Sequence, residues 1–534
     1  MRIAILLAGA ALATTSAQAV TLREALVQVY QGNPSLTAAR AQQRATDEGV
    51  PIARAAGLPQ AGVDASFQEF ALQATNNIVA PRRAASAGLS IGVPIYSGGQ
   101  VRNGIRAADA RVEAGRANLR STEAGVFVET VSAYMNVIRD EAIVELNRGN
   151  VRVLQTNVQA AQDRFEVGDL TRTDVAQSQA RLAIAQSQLQ SALAQLDASR
   201  ENYLRVVGTA PATLDAPPPL PAFPATPDDA VDVAVSNNPA LSQARATSRA
   251  AALDVRVAES LRLPRVTANA SGNYVNYLNS IGGGGLIQSP PNYQRSATLS
   301  VGVNLPLFQG GLPGARVRQA QAIQSQTLEQ TTFVERDVVA QARTNYSLWT
   351  AAQAVITSSE QAVAANELAL EGVRAENSVG TRNVLDVLNA EQELLNSRVQ
   401  LVAARRDAYV AGFALLASLG KAEAKDLGLD GGPLYDPTVN YRRVRNSIND
   451  WAKDPEPQPV AATTLGVPSP TQVTVEQNRA ATAPRNRLDA PAATTSPAAP
   501  PATAPNLRPG VQPPVTPPVA QPPGTRSHVT TPRS

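Results

Sequence analysis

One stretch of this 534-residue chain has the spacing of a hydrolytic nucleophile: Gly88-Leu89-Ser90-Ile91-Gly92 fits G-x-S-x-G. That motif needs its serine on a sharp strand-to-helix turn, with a histidine and an acid close by in space. Here an alternation of apolar and small polar residues runs straight through Ser90, and the single histidine, His528, lies in a proline-rich tail. The plainer reading wins: Ser90 belongs to a row of small polar residues on one face of a strand. The absence of cysteine removes thiolate nucleophiles, disulfides, thiolate metal sites and lipid attachment to an N-terminal cysteine. One histidine excludes multi-histidine metal sites. The tetraglycine run Gly282-Gly283-Gly284-Gly285 lacks the Gly-Lys-Ser/Thr that completes a phosphate loop, and reads as a loop tip. No enzyme activity and no cofactor are expected. The net charge of +3 is spread along the chain, so no basic tract points to nucleic acid.

A second pair of segments carries charge at a turn. The first reads Phe165-Glu166-Val167-Gly168-Asp169-Leu170-Thr171-Arg172-Thr173-Asp174-Val175, the second Asn377-Ser378-Val379-Gly380-Thr381-Arg382-Asn383-Val384-Leu385-Asp386-Val387. Gly168 and Gly380 suit the left-handed residue that ends a helix. Asp174 and Asp386 fall in the opening turns of the next helix, where an acid is favourable on dipole grounds alone. Pattern by itself ranks that role above any gate.

The elements that position these turns repeat. Tyr134, Gly168, Asp174 and Gly208 recur as Tyr346, Gly380, Asp386 and Gly420, each 212 residues later. Asn33-Pro34 and Leu58-Pro59 recur as Asn238-Pro239 and Leu263-Pro264, 205 residues later, so the chain is a tandem duplication with an insertion around the tetraglycine run. Each half opens with one helix, Leu22 to about Arg54 and Asp228 to about Leu261, stopped by proline. Strands follow. Alternation is clearest over 85–95 and 297–307, with weaker partners near 62–72 and 266–277. Then come proline-free helices from Gln100 to about Phe165 and from Arg316 to about Asn377, roughly 90–100 Å long. The next helices carry seven-residue stripes, Val175, Leu182, Leu189, Leu196, Tyr203 and Val387, Leu394, Leu401, Ala408, Leu415, the mark of side-by-side coiled-coil packing.

Residues 1–19, with Arg2, a short apolar run and Ala17-Gln18-Ala19, read as a secretory signal. Residues 20–210 form the first repeat, 211–227 a proline-rich linker, and 228–420 the second repeat. Residues 421–534 form an extension, expected to be disordered from about 431, where 21 of the 39 prolines lie.

The duplicated plan, the Asn-Pro of the first helix, the strand-Pro-Leu-Phe-x-Gly-Gly junction and the segment Val379 to Ala390 together resemble the TolC family of bacterial outer-membrane channel proteins, over roughly residues 22–420. The segment looks most like the branch serving type I protein secretion. The resemblance implies a mixed α and membrane-β fold: a homotrimer in which each chain gives four strands to a shared outer-membrane β-barrel, continued by a periplasmic α-helical coiled-coil barrel. It implies a passive exit duct docked, through a periplasmic adaptor protein, to an inner-membrane transporter, with the ABC type favoured. Outer-membrane lipids surround the barrel. Small-molecule efflux is the alternative within the family, and a periplasmic coiled-coil scaffold the remote one. By position, Arg382 is the linking arginine of the closed periplasmic end, Thr173 and Asp174 its partners, and Asp386 the acid ringing the entrance. Two departures stand out. Asn389 replaces the second acid of the entrance ring, implying a less negative entrance. Asn377 stands where some members place an aromatic, implying fewer contacts in the closed state.

Overall fold

The computed structural model describes residues 20–72, 81–281, 291–429 and 434–467. Their elements run α1 (Leu22–Gly32), α2 (Pro34–Asp47), α3 (Gly49–Ala55), β1 (Gln60–Glu69), β2 (Arg83–Tyr96), α4 (Gln100–Glu166), α5 (Arg172–Val207), α6 (Pro227–Asn237), α7 (Pro239–Glu259), β3 (Arg265–Asn276), β4 (Tyr293–Asn304), α8 (Leu312–Ser378), α9 (Val384–Ser418) and α10 (Thr438–Val444). The signal segment, the tetraglycine run and His528 lie outside the described residues. Among the described residues no helix is long and apolar enough to cross a membrane.

The opening helix of each half is not continuous, and Asn-Pro is the reason. Asn33 and Asn238 are extended, and their side-chain oxygens accept the first amides of the next helix, from Ser35 and Leu36 and from Ala240 and Leu241. Pro34 and Pro239 sit at the first helical position, where the missing N–H costs nothing. The same two asparagines donate their Nδ2 groups, 3.0 Å each, to the carbonyls of Val206 and Ser418 at the ends of α5 and α9. Each Asn therefore caps one helix and ties it to the end of another. The first half breaks once more, between Asp47 and Gly49, whereas α7 runs unbroken for 21 residues.

The four strands pair antiparallel in the order β1-β2-β3-β4. Cross-strand rows decide the faces. Val63, Leu89, Gly272 and Ala297 share one row, and Ala61, Ile91, Ala270 and Leu299 the next. The opposite face holds rows such as Gly62, Ser90, Ser271, Thr298 and Asp64, Gly88, Asn273, Ser296. Away from the rim one face is apolar, and the other is mostly small and polar, with Val275 an exception. β4 ends at Asn304, two residues before Pro306, whereas β2 runs on through Pro94 to Tyr96 with a register shift between those two residues.

α4 and α8, 67 residues each, are rods of about 100 Å. α5 folds back along α4 and α9 along α8. Tyr134 and Tyr203 are buried in the main core with Phe127, Leu26 and Val29. The Tyr134 hydroxyl donates to the carbonyls of Val20 and Asp215, 2.8 Å each, where the segment before α1 crosses the linker; burial pushes this phenol well above its usual pKa. Its mate Tyr346 donates to Ala225 O at 2.7 Å, at the linker's other end. The two rods differ in cover: α4 is buried at regular intervals, while α8 buries only Val317, Val338, Ala342, Ser359 and Leu370.

The tail departs from expectation. Disorder from residue 431 is corrected for 434–446, which pack on the helical body and include α10. Asn440 donates to Asp47 Oδ2 (2.9 Å) beside Gln43, which donates to Asp47 Oδ1 (2.8 Å), and all three are buried. Tyr441 donates to Asp109 (2.8 Å), and the Tyr435 amide to the Tyr30 hydroxyl (2.9 Å). Before them, Glu423 pairs with Arg120, and Ala422, Ala424 and Leu429 join the main core. Average composition hid these few anchors among prolines. Residues 468–534 lie outside the described residues.

Candidate functional site at the helix turns

Ser90 is settled first. It lies mid-strand in β2, which continues to Tyr96, and its Oγ reaches only Gly62 O at 3.5 Å. The glycines of the motif have their own reason: a Cβ at Gly88 would lie 2.7 Å from the Asp64 carboxylate across the ladder, and one at Gly92 would lie 3.2 Å from Asn269 Oδ1. They make room for polar side chains on the polar face. Among the described residues no group of three His, Cys, Asp or Glu is placed to hold a metal ion.

At the far end of the rods, each turn is built alike. Gly168 (φ +83°) and Gly380 (φ +80°) take the left-handed conformation, and the amides after them return to Arg164 O (2.9 Å) and Glu376 O (3.0 Å). The long helix thus ends with its last carbonyls satisfied. Thr171 then caps α5 in a reciprocal box: the Asp174 amide donates to Thr171 Oγ1 (3.3 Å), and the Thr171 amide and hydroxyl donate to Asp174 Oδ2 (3.0 and 2.7 Å). The Thr171 hydroxyl, then its amide, hold the Asp174 carboxyl below the usual carboxylate range. Asn383 caps α9, accepting from the Asp386 amide at 2.8 Å.

Within one chain, Arg382 does not meet Thr173 or Asp174. Thr173 is exposed on the first turn of α5, and Asp174 is engaged by Thr171. Arg382 Nε instead donates to Glu376 Oε2 at 2.7 Å, with its Nη1 3.9 Å from Asp386 Oδ2. The Glu376 hydrogen bond raises the guanidinium pKa further. Asn377 donates to Arg382 O at 2.8 Å, bracing the loop where some family members carry an aromatic.

Sequence reasoning missed Glu376, and also the strap at the other turn, Arg164 Nε to Asp169 Oδ2 at 2.7 Å. Glu376 stands 212 residues after Arg164, so the two straps carry opposite charges at the helix end. An acid on the last helical turn, six residues before Arg382, was the available signal. Further along the rods Asn389 accepts from Arg181 Nη2 at 2.7 Å, which joins α9 to α5. Because the acceptor is a neutral amide, the Arg181 charge is not cancelled there. Glu391, nearly buried, accepts from Arg374 (2.9 Å) and from Asn157 on α4 (3.0 Å). The tip is therefore two strapped turns, with the hairpins joined above it by polar cross-links.

Residues 25–209 and 230–421 match the family described as outer membrane efflux protein. The chain is 32% identical over 443 residues to the outer membrane efflux protein BepC of Brucella suis, covering 83% of this chain and 94% of that protein. It is 30% identical over 320 residues to the alkaline protease secretion protein AprF of Pseudomonas aeruginosa, covering 58% of this chain and 64% of that one. Among solved structures, the outer membrane protein VceC of Vibrio cholerae superposes with a TM-score of 0.66 at 23% identity, over 75% of this chain and 96% of that chain.

Proposed function

The chain belongs to the outer membrane efflux protein family, the TolC family of the sequence resemblance, and on that premise we propose that it serves type I protein secretion, as a homotrimeric exit duct docked to a periplasmic adaptor and an inner-membrane ABC transporter. The coarser statement is established: this is an outer-membrane channel protein with its helical part in the periplasm, and it is not an enzyme. That location removes the periplasmic scaffold.

The observation that carries the assembly is the sheet. Four strands with unpaired edges at β1 and β4 cannot close on themselves, and an open edge in lipid leaves backbone groups unsatisfied. Single-chain barrels begin at about eight strands, so chains must combine. The apolar face then meets lipid and the polar face lines the lumen. The uncovered flank of α8, with Ile323, Leu328, Phe333, Leu348 and Leu368 exposed, supports packing against further chains. A groove of about 770 Å³ between α4 and the α8–α9 hairpin, floored by Leu394, Leu395 and Leu401 and edged by Arg374 and Arg398, suits adaptor helices. The protease-secretion relative supports protein cargo, while the efflux relative favours a second reading, small-molecule export. Deleting the gene should abolish export of a protein substrate and leave resistance to small toxic compounds unchanged. The reverse pattern assigns the duct to small-molecule efflux.

At the tip, the reading makes Arg382 the residue that links neighbouring turns, exchanging its Glu376 strap for Thr173 and Asp174 of the next chain. A charge-assisted hydrogen bond is directional, and symmetry repeats it around the axis. Arg382→Ala should therefore raise single-channel conductance in a planar bilayer, in a purified species whose mass is that of three chains. Asp386→Asn should leave the conductance step nearly unchanged while weakening cation selectivity and divalent-cation block. Unchanged current and selectivity in both assembled variants would place the constriction elsewhere, with the ring of Arg181 and Asn389 the next position to test.

A further inference from the structure

We propose that the outer rim of the barrel binds the phosphorylated headgroup of an outer-leaflet glycolipid, at Arg295 beside Tyr274 and Tyr293. All the helices join the sheet at one end: α3 leads into β1 and α7 towards β3, while β2 leads to α4 and β4 to α8. The opposite end, where β1 turns to β2 and β3 to β4, faces away from the periplasm. Arg295 lies there, directly opposite Tyr274 in the ladder.

Arg295 is on the lipid-facing row, which continues along β4 as Ala297, Leu299, Val301 and Val303. A cation on that face is costly within hydrocarbon and tolerated at the boundary. Tyrosine is enriched at the same boundary. The two rings stack with centroids 6.4 Å apart, and the guanidinium carbon stands 5.8 Å from the Tyr274 centroid and 5.2 Å from that of Tyr293. Held against two rings, the guanidinium keeps its fork of donors free for a planar or tetrahedral oxyanion.

Among the described residues no carboxylate pairs with Arg295, and neither connecting stretch, 70–82 or 277–294, contains an Asp or Glu. Of the two acids on β1, Asp64 lies one row away but on the polar face, and Glu69, nearer the rim, is taken by Arg83 at 3.1 Å. With Arg83 balanced by Glu69, Arg82 and Arg295 leave the rim positive beside an apolar wall. A phosphate attached to acyl chains matches both parts of this surface. A free phosphate matches only the charge.

The test uses the full assembled chain in mild detergent and native mass spectrometry with bis-phosphorylated lipid A, the same lipid dephosphorylated, and inorganic phosphate. Wild type should bind the phosphorylated lipid about fivefold more tightly than the dephosphorylated one, the contribution of one arginine at a charged membrane surface. Arg295→Ala should lose that preference and Arg295→Lys should retain part of it. Inorganic phosphate should not displace the lipid. Equal binding of both lipids by wild type, which needs no variant, overturns the proposal. So does an undiminished preference in assembled Arg295→Ala, or full displacement by inorganic phosphate, which would make the site one for a free anion.

Discussion

Replacing Gly420 with alanine should prevent the second half from closing, whereas the same change at Gly208, 212 residues earlier, should be mild. Both glycines end a heptad helix with positive φ, +69° and +88°. At Gly420 the ends are fastened in a Schellman arrangement, the Gly420 amide donating to Ala417 O and the Lys421 amide to Leu416 O, 3.0 Å each. A Cβ there would lie 2.6 Å from Asn237 O, 2.8 Å from Asn237 C and 3.1 Å from Asn238 N. That backbone cannot withdraw, because Asn238 caps α7 and is tied to Ser418 O. Left-handed strain of roughly 1–2 kcal/mol adds to an overpacking cost of about 1–3 kcal/mol. A Cβ at Gly208 meets nothing within 4 Å, so only the strain applies. Thermal melting followed by helix signal should show a large drop for Gly420→Ala and a small one for Gly208→Ala. Equal drops would mean the close approach to Asn237 is absent.

Cutting the chain after residue 467 should leave folding and assembly unchanged, while cutting after residue 433 should damage both. The second cut removes Asn440 from the wholly buried Asp47, and Tyr441 from Asp109. A buried acceptor that loses a donor costs about 1–3 kcal/mol. Burial of Val444, and the stacking of Arg116 on Tyr441 (4.9 Å) and Arg40 on Tyr435 (5.1 Å), disappear with it. Asn440→Leu isolates the first effect in a full-length chain. If the chain ending at 433 assembles and melts like the full-length protein, residues 434–467 are an appendage rather than part of the helical body.

The straps at the tip show how far reading along the chain reaches. Gly168 and Gly380 were legible because ending a helix on a left-handed residue is a local requirement, met by residue type within a few positions. The pairing of Arg382 with Glu376 was not read, although only six residues separate them, because which of several nearby acids a long side chain takes depends on how the turn folds back. The Asn-Pro pairs are an intermediate case. Their recurrence was visible, yet it served as a marker of duplication inside one long helix. Only the tertiary structure shows each Asn capping a second helix and holding the end of a third.

By itself the sequence determined the two rods and their returning helices, the four strands and the polar and apolar faces of the sheet. These follow from periodicity, since a period of two or of seven residues assigns a side chain to a face whatever that face later meets. The tertiary structure decided that residues 434–446 pack on the helical body, that Asn389 is held by Arg181, and that Gly420 admits no side chain while Gly208 does. Each of these depends on a neighbour brought close across roughly 180 to 400 residues of chain. Packing among such distant segments is collective, so no local pattern encodes it.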